Sequence, residues 1–177
     1  DLWLLEHLRP TVFREPSGYA VNSFDMWPQD LDLVRDLRLN SYRFSLEWAR
    51  IEPEPGQFSI AMLDHYRAMI EGCRQRGLTP LVTFNHFTVP RWFAAQGGWT
   101  NPQAPDLFAR YCERAAQHLA AGIGYATTLN EPNLLRILRR GDLPPPVWEL
   151  TRSTLAAAAR ACATTKFVAA NVANLED

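Results

Sequence analysis

Three short apolar segments, each strand-like in composition and each closing on a polar side chain, recur at nearly even steps along this chain. The first, Asn40-Ser-Tyr-Arg-Phe-Ser-Leu-Glu-Trp48, alternates Tyr42, Phe44 and Leu46 against Arg43 and Ser45. That period of two marks a strand with two unlike faces. The second runs from Thr79 to His86, and the third from Tyr125 to Asn130, followed by Glu131 and Pro132. Pro132 has no N–H to give to a ladder, so the third strand should end before it. Arg43 to His86 is 43 positions and His86 to Glu131 is 45. Helical periods lie between. Ile60 to Arg76 gathers Leu63, Tyr66, Met69, Ile70 and Cys73 on one face, with Gly77 as the stop, and Pro105 to Ala121 gathers Phe108, Tyr111, Cys112, Ala115 and Leu119. Strand, loop and helix repeated at such a step predict a parallel sheet with right-handed crossovers.

The rest of the chain fits the same plan less firmly. Residues 1–24 carry no period and read as irregular or peripheral. Asp25 to Asp30 reads as a helix start, with apolar positions following at Leu31, Val34, Leu37 and Leu39. Glu52-Pro-Glu-Pro-Gly56 is a loop by its prolines and glycine. Leu143 to Val147 reads as a rigid proline loop, Trp148 to Ala163 as an alanine-rich helix and Phe167 to Val172 as a last strand. With 177 residues, 47% of them apolar, the chain holds one core and one domain, 1–177.

Two α/β architectures answer this pattern: an open doubly wound sheet and a (β/α)8 TIM barrel. No strand is followed by the glycine-rich turn that binds dinucleotide phosphates. A barrel puts its functional residues at the C-terminal ends of strands, where His86, Asn130 and Glu131 stand, with Arg43 on a strand of the same set. The barrel is the expected fold. A complete one takes about 250 residues, so the chain should hold roughly half.

Charge and composition exclude several functions. Eighteen basic residues against nineteen acidic ones leave a net charge of -1, which attracts neither nucleic acid nor an anionic membrane. No apolar run approaches the roughly 20 residues that cross a bilayer. No signal-peptide pattern is legible after Asp1. Cys73, Cys112 and Cys162 lie in expected helices without metal-like spacing; they read as buried apolar side chains in a reducing, cytoplasmic setting. No metal site and no organic cofactor is expected.

The candidate residues each have a plain reading beside the functional one. Glu131 is a carboxylate at the mouth of a buried strand, costly unless something uses it. Asn130 can both donate and accept there. Yet Asn-Glu-Pro is also an ordinary way to begin a loop. His86 alone reads as a satisfied strand-end histidine, and Arg43 alone as an ion-pair partner. Glu47 reads as a paired or rim charge, and Glu52 and Glu54 as solvated loop carboxylates. His7, His65 and His118 read as surface or packing residues.

Four segments together are more specific than any of these. They are Ser41-Tyr-Arg-Phe-Ser-Leu-Glu-Trp-Ala-Arg-Ile51, Thr83-Phe-Asn-His-Phe-Thr-Val-Pro-Arg-Trp92, Gly97-Gly-Trp-Thr-Asn101 and Thr128-Leu-Asn-Glu-Pro-Asn133. In order and spacing they resemble family 1 of the glycoside hydrolases, the β-glucosidase and β-galactosidase family of clan A. The likeness is strong over residues 25 to 135 and looser elsewhere, and corresponds to barrel strands two to five.

That resemblance implies a retaining β-glycosidase acting on β-linked glycosides. It implies Glu131 as general acid/base, Asn130 against the sugar 2-hydroxyl, His86 against other sugar hydroxyls and Arg43 beside the nucleophile. Such chemistry needs one carboxyl that protonates the leaving oxygen and then deprotonates water, and a second about 5 Å away to attack the anomeric carbon. Trp92 and Trp99 follow the second strand and either stack on sugar rings or pack in the core.

The departures are equally specific. The family's nucleophile lies in a Thr-Glu-Asn-Gly-like segment that this sequence lacks. The family's opening strand with its sugar-binding Gln is not recognisable in 1–22. Thr88 stands where an aspartate is frequent, and Thr151-Arg-Ser-Thr154 where a His-rich helix start is expected. Two alternatives therefore stand beside the enzyme. One is a non-catalytic half-barrel that binds sugar or self-associates through its open edges. The other is a different clan A β-glycanase.

Overall fold

The computed structural model of the chain describes residues 15–131 and, for the backbone, 168–171. The expected proline loop at 143–147, the helix at 148–163, His7 and Cys162 lie outside the described residues.

Ten elements follow the expected order: α1 (Ser23–Asp36), β1 (Ser41–Ser45), α2 (Trp48–Ile51), α3 (Ile60–Gln75), β2 (Thr79–Asn85), α4 (Arg91–Ala95), a 3-10 turn (Gly98–Thr100), α5 (Ala104–Leu119), β3 (Tyr125–Asn130) and β4 (Val168–Asn171). The four strands lie side by side in the order β1-β2-β3-β4, all parallel. Sequential order without reversal separates the two architectures. A doubly wound sheet reverses its order at a switch point, whereas consecutive right-handed crossovers in one direction keep every helix on one face. The described residues form four consecutive strands of a (β/α)8 barrel, half of its eight.

Helix ends are set by local chemistry. Ser59 Oγ accepts the Met62 N–H at 3.3 Å and starts α3. Gly77 ends it at φ +73°, with Leu78 N–H on Cys73 O and Gly77 N–H on Arg74 O, both at 3.0 Å, the paired bonds of a Schellman motif. The end of α1 repeats that motif on Arg38, at φ +59°, with Leu39 N–H on Val34 O. Leu31 is buried, but Leu37 and Leu39 are 71% and 55% exposed; at 3.6 residues per turn Leu37 lies about 240° round the helix from Leu31, and the left-handed turn at Arg38 carries Leu39 off the apolar face to which the spacing assigned it.

The first strand stops earlier than its alternation suggests. Glu47 captures the Ala49 N–H at 3.2 Å and caps α2, which diverts the backbone from the ladder. Phe44, Leu46, Val82, Phe84 and Ala126 meet Leu63, Tyr66, Ile70 and Cys73 of α3 and Phe108, Tyr111 and Ala115 of α5 in one core. The Tyr111 hydroxyl donates to Phe84 O at 2.9 Å. Gly72 lets α1 lie close on α3: a Cβ there would sit 2.4 Å from the Trp27 ring.

Candidate active site

The sheet brings Arg43, His86, Asn130 and Glu131 to one region from three strands. Thr83 is register partner to both Ser45 on β1 and Thr127 on β3. Arg43 Nε donates to Thr83 Oγ1 at 2.9 Å and Nη2 to Asn130 Oδ1 at 2.7 Å. The second bond spans an intervening strand. Against β4, Thr127 pairs with Ala169 and Asn130 with Asn171; three steps on β3 answer two on β4. That extra residue is a β-bulge, which breaks alternation and re-aims a side chain. Asn130, 5% exposed, is the residue so placed.

Glu131 follows at φ +43°, in the left-handed region, half-buried. Phe87 takes φ +69° directly after His86. Strained backbone thus follows two of the candidate side chains, a pattern that clusters where geometry serves function. His86 Nδ1 lies 3.1 Å from Ser45 Oγ. Burial, then the Arg43 guanidinium, hold the imidazole below its ordinary pKa, and the Glu131 carboxylate opposes them. Arg43 and Glu131 therefore both act on His86. Among the described residues Arg43 has no carboxylate partner, and no group of His, Cys, Asp and Glu could hold a metal ion.

Other candidates fall elsewhere. Trp99 is enclosed by Trp48, Phe93 and Phe108 and only 7% exposed. It packs in the core, and its faces are taken. Trp92 donates from Nε1 to Glu52 O at 3.0 Å and, half-buried, lines a cleft of about 590 Å³ between the loops after β1 and β2, with Glu47, Arg50, Thr88 and Arg91. That cleft is separate from the lining of Arg43, His86, Asn130 and Glu131. Glu47 accepts the Thr88 hydroxyl at 2.7 Å, a paired rim charge. Glu54 is exposed as expected, but Glu52 is not: it is 0% exposed. Its carboxylate accepts from Trp48 Nε1 and the Gly56 N–H, both at 2.7 Å, and pairs with Arg110. A proline loop carries no signal of those partners, the nearest of which in space comes from α5. His118, expected to lack a partner, meets Asp64 at 2.7 Å. His65 does pack, stacked on Phe24.

Comparison with known proteins agrees with this geometry. The model of glycosyl hydrolase family 1 matches residues 6–171. Beta-glucosidase 47 of Arabidopsis thaliana is 39% identical over 131 residues, 71% of this chain and 24% of that protein. The cytosolic beta-glucosidase of Homo sapiens is 31% identical over 141 residues, 77% of this chain and 30% of that protein. The solved beta-glycosidase BGL167 superposes with a TM-score of 0.88 at 40% identity, over 98% of this chain and 51% of its own. The Thermotoga maritima beta-glucosidase in complex with castanospermine gives 0.83 at 28% identity, over 92% and 40%. The chain thus spans about half the length of the solved beta-glycosidase BGL167 and less of these curated relatives. With a parallel half-barrel and a match over nearly its whole length, the chain belongs to glycosyl hydrolase family 1.

Proposed function

We propose that this chain supplies the acid/base half of a retaining β-glycosidase that hydrolyses terminal β-D-glucosyl or related β-glycosides. The observation that carries the reading is the Arg43–Asn130 bond beside Glu131. It holds an amide and a guanidinium at the position a sugar and a second carboxylate would need. Glu131 as an acid protonates the glycosidic oxygen while the C–O bond breaks and the nucleophile carboxylate bonds to the anomeric carbon. As a carboxylate it then takes a proton from water, whose oxygen attacks that carbon and releases the nucleophile. Asn130 and His86 hold sugar hydroxyls. Arg43 keeps the nucleophile ionised; the sequence offers no motif for that carboxylate, so it comes from outside this chain. Substrate apart, the reading needs no nucleic acid, membrane, metal or cofactor. The buried positions of Cys73 and Cys112 and the cytosolic name of the human relative support a cytoplasmic setting.

The test is hydrolysis of an aryl β-glucoside by the full protein beside its Glu131→Gln variant. Activity that vanishes in the variant supports the reading; equal turnover by both would sink it.

A second reading rests on a different observation. Six of the eight exposed large apolar side chains among the described residues, Tyr19, Val21, Met26, Leu33, Leu37 and Leu39, lie on or beside α1, and among the described strands β1 stands at the edge of the sheet. Such a face and edge favour association. On this reading the half-barrel is a self-associating or sugar-binding module. A concentration-dependent sedimentation coefficient would support it, and a monomer at all concentrations would not.

A further inference from the structure

His86 is held by two different restraints. Its backbone is fixed by the turn after β2, where Thr88 N–H bonds His86 O at 2.9 Å and Asn85 Nδ2 bonds Thr88 O at 2.7 Å. Its ring is fixed by Ser45, whose Oγ lies 3.1 Å from Nδ1. Ser45 stands two residues after Arg43 on β1, so Nδ1 is turned toward β1, while the Arg43 guanidinium reaches across β2 to Thr83 and Asn130. The carboxylate that acts on the ring, Glu131, follows β3 on the other side of β2. Burial and Arg43 hold the ring's pKa below the ordinary value, and in the neutral ring the two nitrogens differ, one a donor and one an acceptor. A serine hydroxyl can serve either nitrogen; by donating to Nδ1 it adds to the intrinsic preference of a neutral histidine ring for the proton on Nε2.

We infer that Ser45 is a positioning residue: its hydroxyl donates to His86 Nδ1, fixes the Nε2–H tautomer and so presents Nε2–H to a sugar oxygen. The inference deepens the glycosidase reading and rests on it for the sugar, but not for the tautomer.

Imidazole 15N–1H correlation spectra of the full chain at about pH 7.5 read the tautomer directly. The expected wild-type signal has the proton on Nε2. Ser45→Ala should show a mixture of tautomers with an unchanged melting temperature, and Ser45→Thr, which keeps the hydroxyl, should restore the single form. Affinity for phenyl β-D-glucoside should fall about tenfold in Ser45→Ala, the loss of one oriented hydrogen bond, and recover in Ser45→Thr. A proton on Nδ1 in the wild type, or identical spectra for Ser45→Ala, overturns the proposal even if Ser45→Ala proves hard to fold, since the first result needs no variant. Equal glycoside affinity in His86→Ala would overturn the sugar-binding half and the role of His86 above; the tautomer signals report on Ser45 independently.

Discussion

Arg43 Nη2 donates to Asn130 Oδ1 at 2.7 Å from β1 to β3, strands that share no ladder. Arginine has only donors, so the amide atom that faces it must be the oxygen. The donor atom of Asn130, Nδ2, therefore lies on the side of the amide away from the guanidinium. The bulge opposite Asn171 supplies the reach, and Thr83 props the guanidinium midway.

The first prediction concerns that bond. In the active protein Arg43→Met should lower kcat/KM by at least about 100-fold, the usual cost of removing a placed electrostatic group. Its unfolding free energy should change by about 1 kcal/mol or less, because Arg43 sits at an exposed strand position where solvent screens its contacts. A double-mutant cycle with Asn130→Ala measures the coupling. Loss of stability with unchanged turnover per folded molecule would make Arg43 purely structural.

A second prediction separates two carboxylates of one proline loop. Glu52→Ala removes the acceptor for Trp48 Nε1 and Gly56 N–H and the partner of Arg110. It should cost about 3–5 kcal/mol, since buried polar partners are left unpaired. Glu54→Ala, at an exposed position, should stay within about 0.5 kcal/mol. Urea unfolding midpoints compare them; equal shifts would refute the assignment.

Glu52 also marks the limit of what the sequence carried. Strands, crossovers and the candidate residues at strand ends were legible because periodicity and strand-end position are local signals. Arg43 bonds Asn130 and acts on His86 across neighbouring strands, a meeting that the parallel strand order makes possible. The fate of Glu52, the core position of Trp99 and the His118–Asp64 pair were not legible, because each depends on partners 4 to 58 positions away that only packing brings near. Leu37 and Leu39 failed differently: Leu37 lies round the helix from the buried Leu31, and Arg38, before Leu39, takes a left-handed turn that usually announces itself with glycine.

Gly72 gives a third prediction in which two effects oppose. Alanine in a helix interior gains about 1 kcal/mol over glycine. Here its Cβ would lie 2.4 Å from the Trp27 ring, and overpacking a rigid ring costs about 1–3 kcal/mol. The clash should win, so that Gly72→Ala lowers the melting temperature and adding Trp27→Leu restores it. A stabilised single variant would show that α1 is not held against α3.

His65 sets a pH dependence. It stacks on Phe24 at 4.0 Å, and Arg50 lies 3.9 Å over the same ring. Its buried Nε2 has no hydrogen-bond partner. Burial first, then Arg50, hold its pKa below 6.5, against Asp25. The unfolded chain then binds the proton more readily than the folded one, so stability is full above the ordinary histidine range and falls as pH drops below it. Melting temperatures from pH 7.5 to 5 should decline, and His65→Phe, which keeps the stack without a proton site, should flatten the curve. A His65→Phe profile parallel to wild type would place the sensitivity elsewhere.

The proposed acid/base, Glu131, stands on strained backbone. At φ +43° its Cβ crowds the following carbonyl, a cost of roughly 1–2 kcal/mol that glycine escapes. Part of that gain is lost to the freer unfolded glycine, so Glu131→Gly should stabilise the fold by about 0.5–1 kcal/mol. Glu131→Ala keeps the Cβ and the strain, and should gain nothing from the backbone. Both variants remove the carboxyl and should abolish hydrolysis of glycosides with poor leaving groups. Unfolding of the two variants side by side tests this: a more stable Gly variant means that the strand end is strained to aim its carboxylate. Equal stability would mean that the left-handed turn costs the fold nothing, and that the aim of Glu131 is set by its neighbours alone.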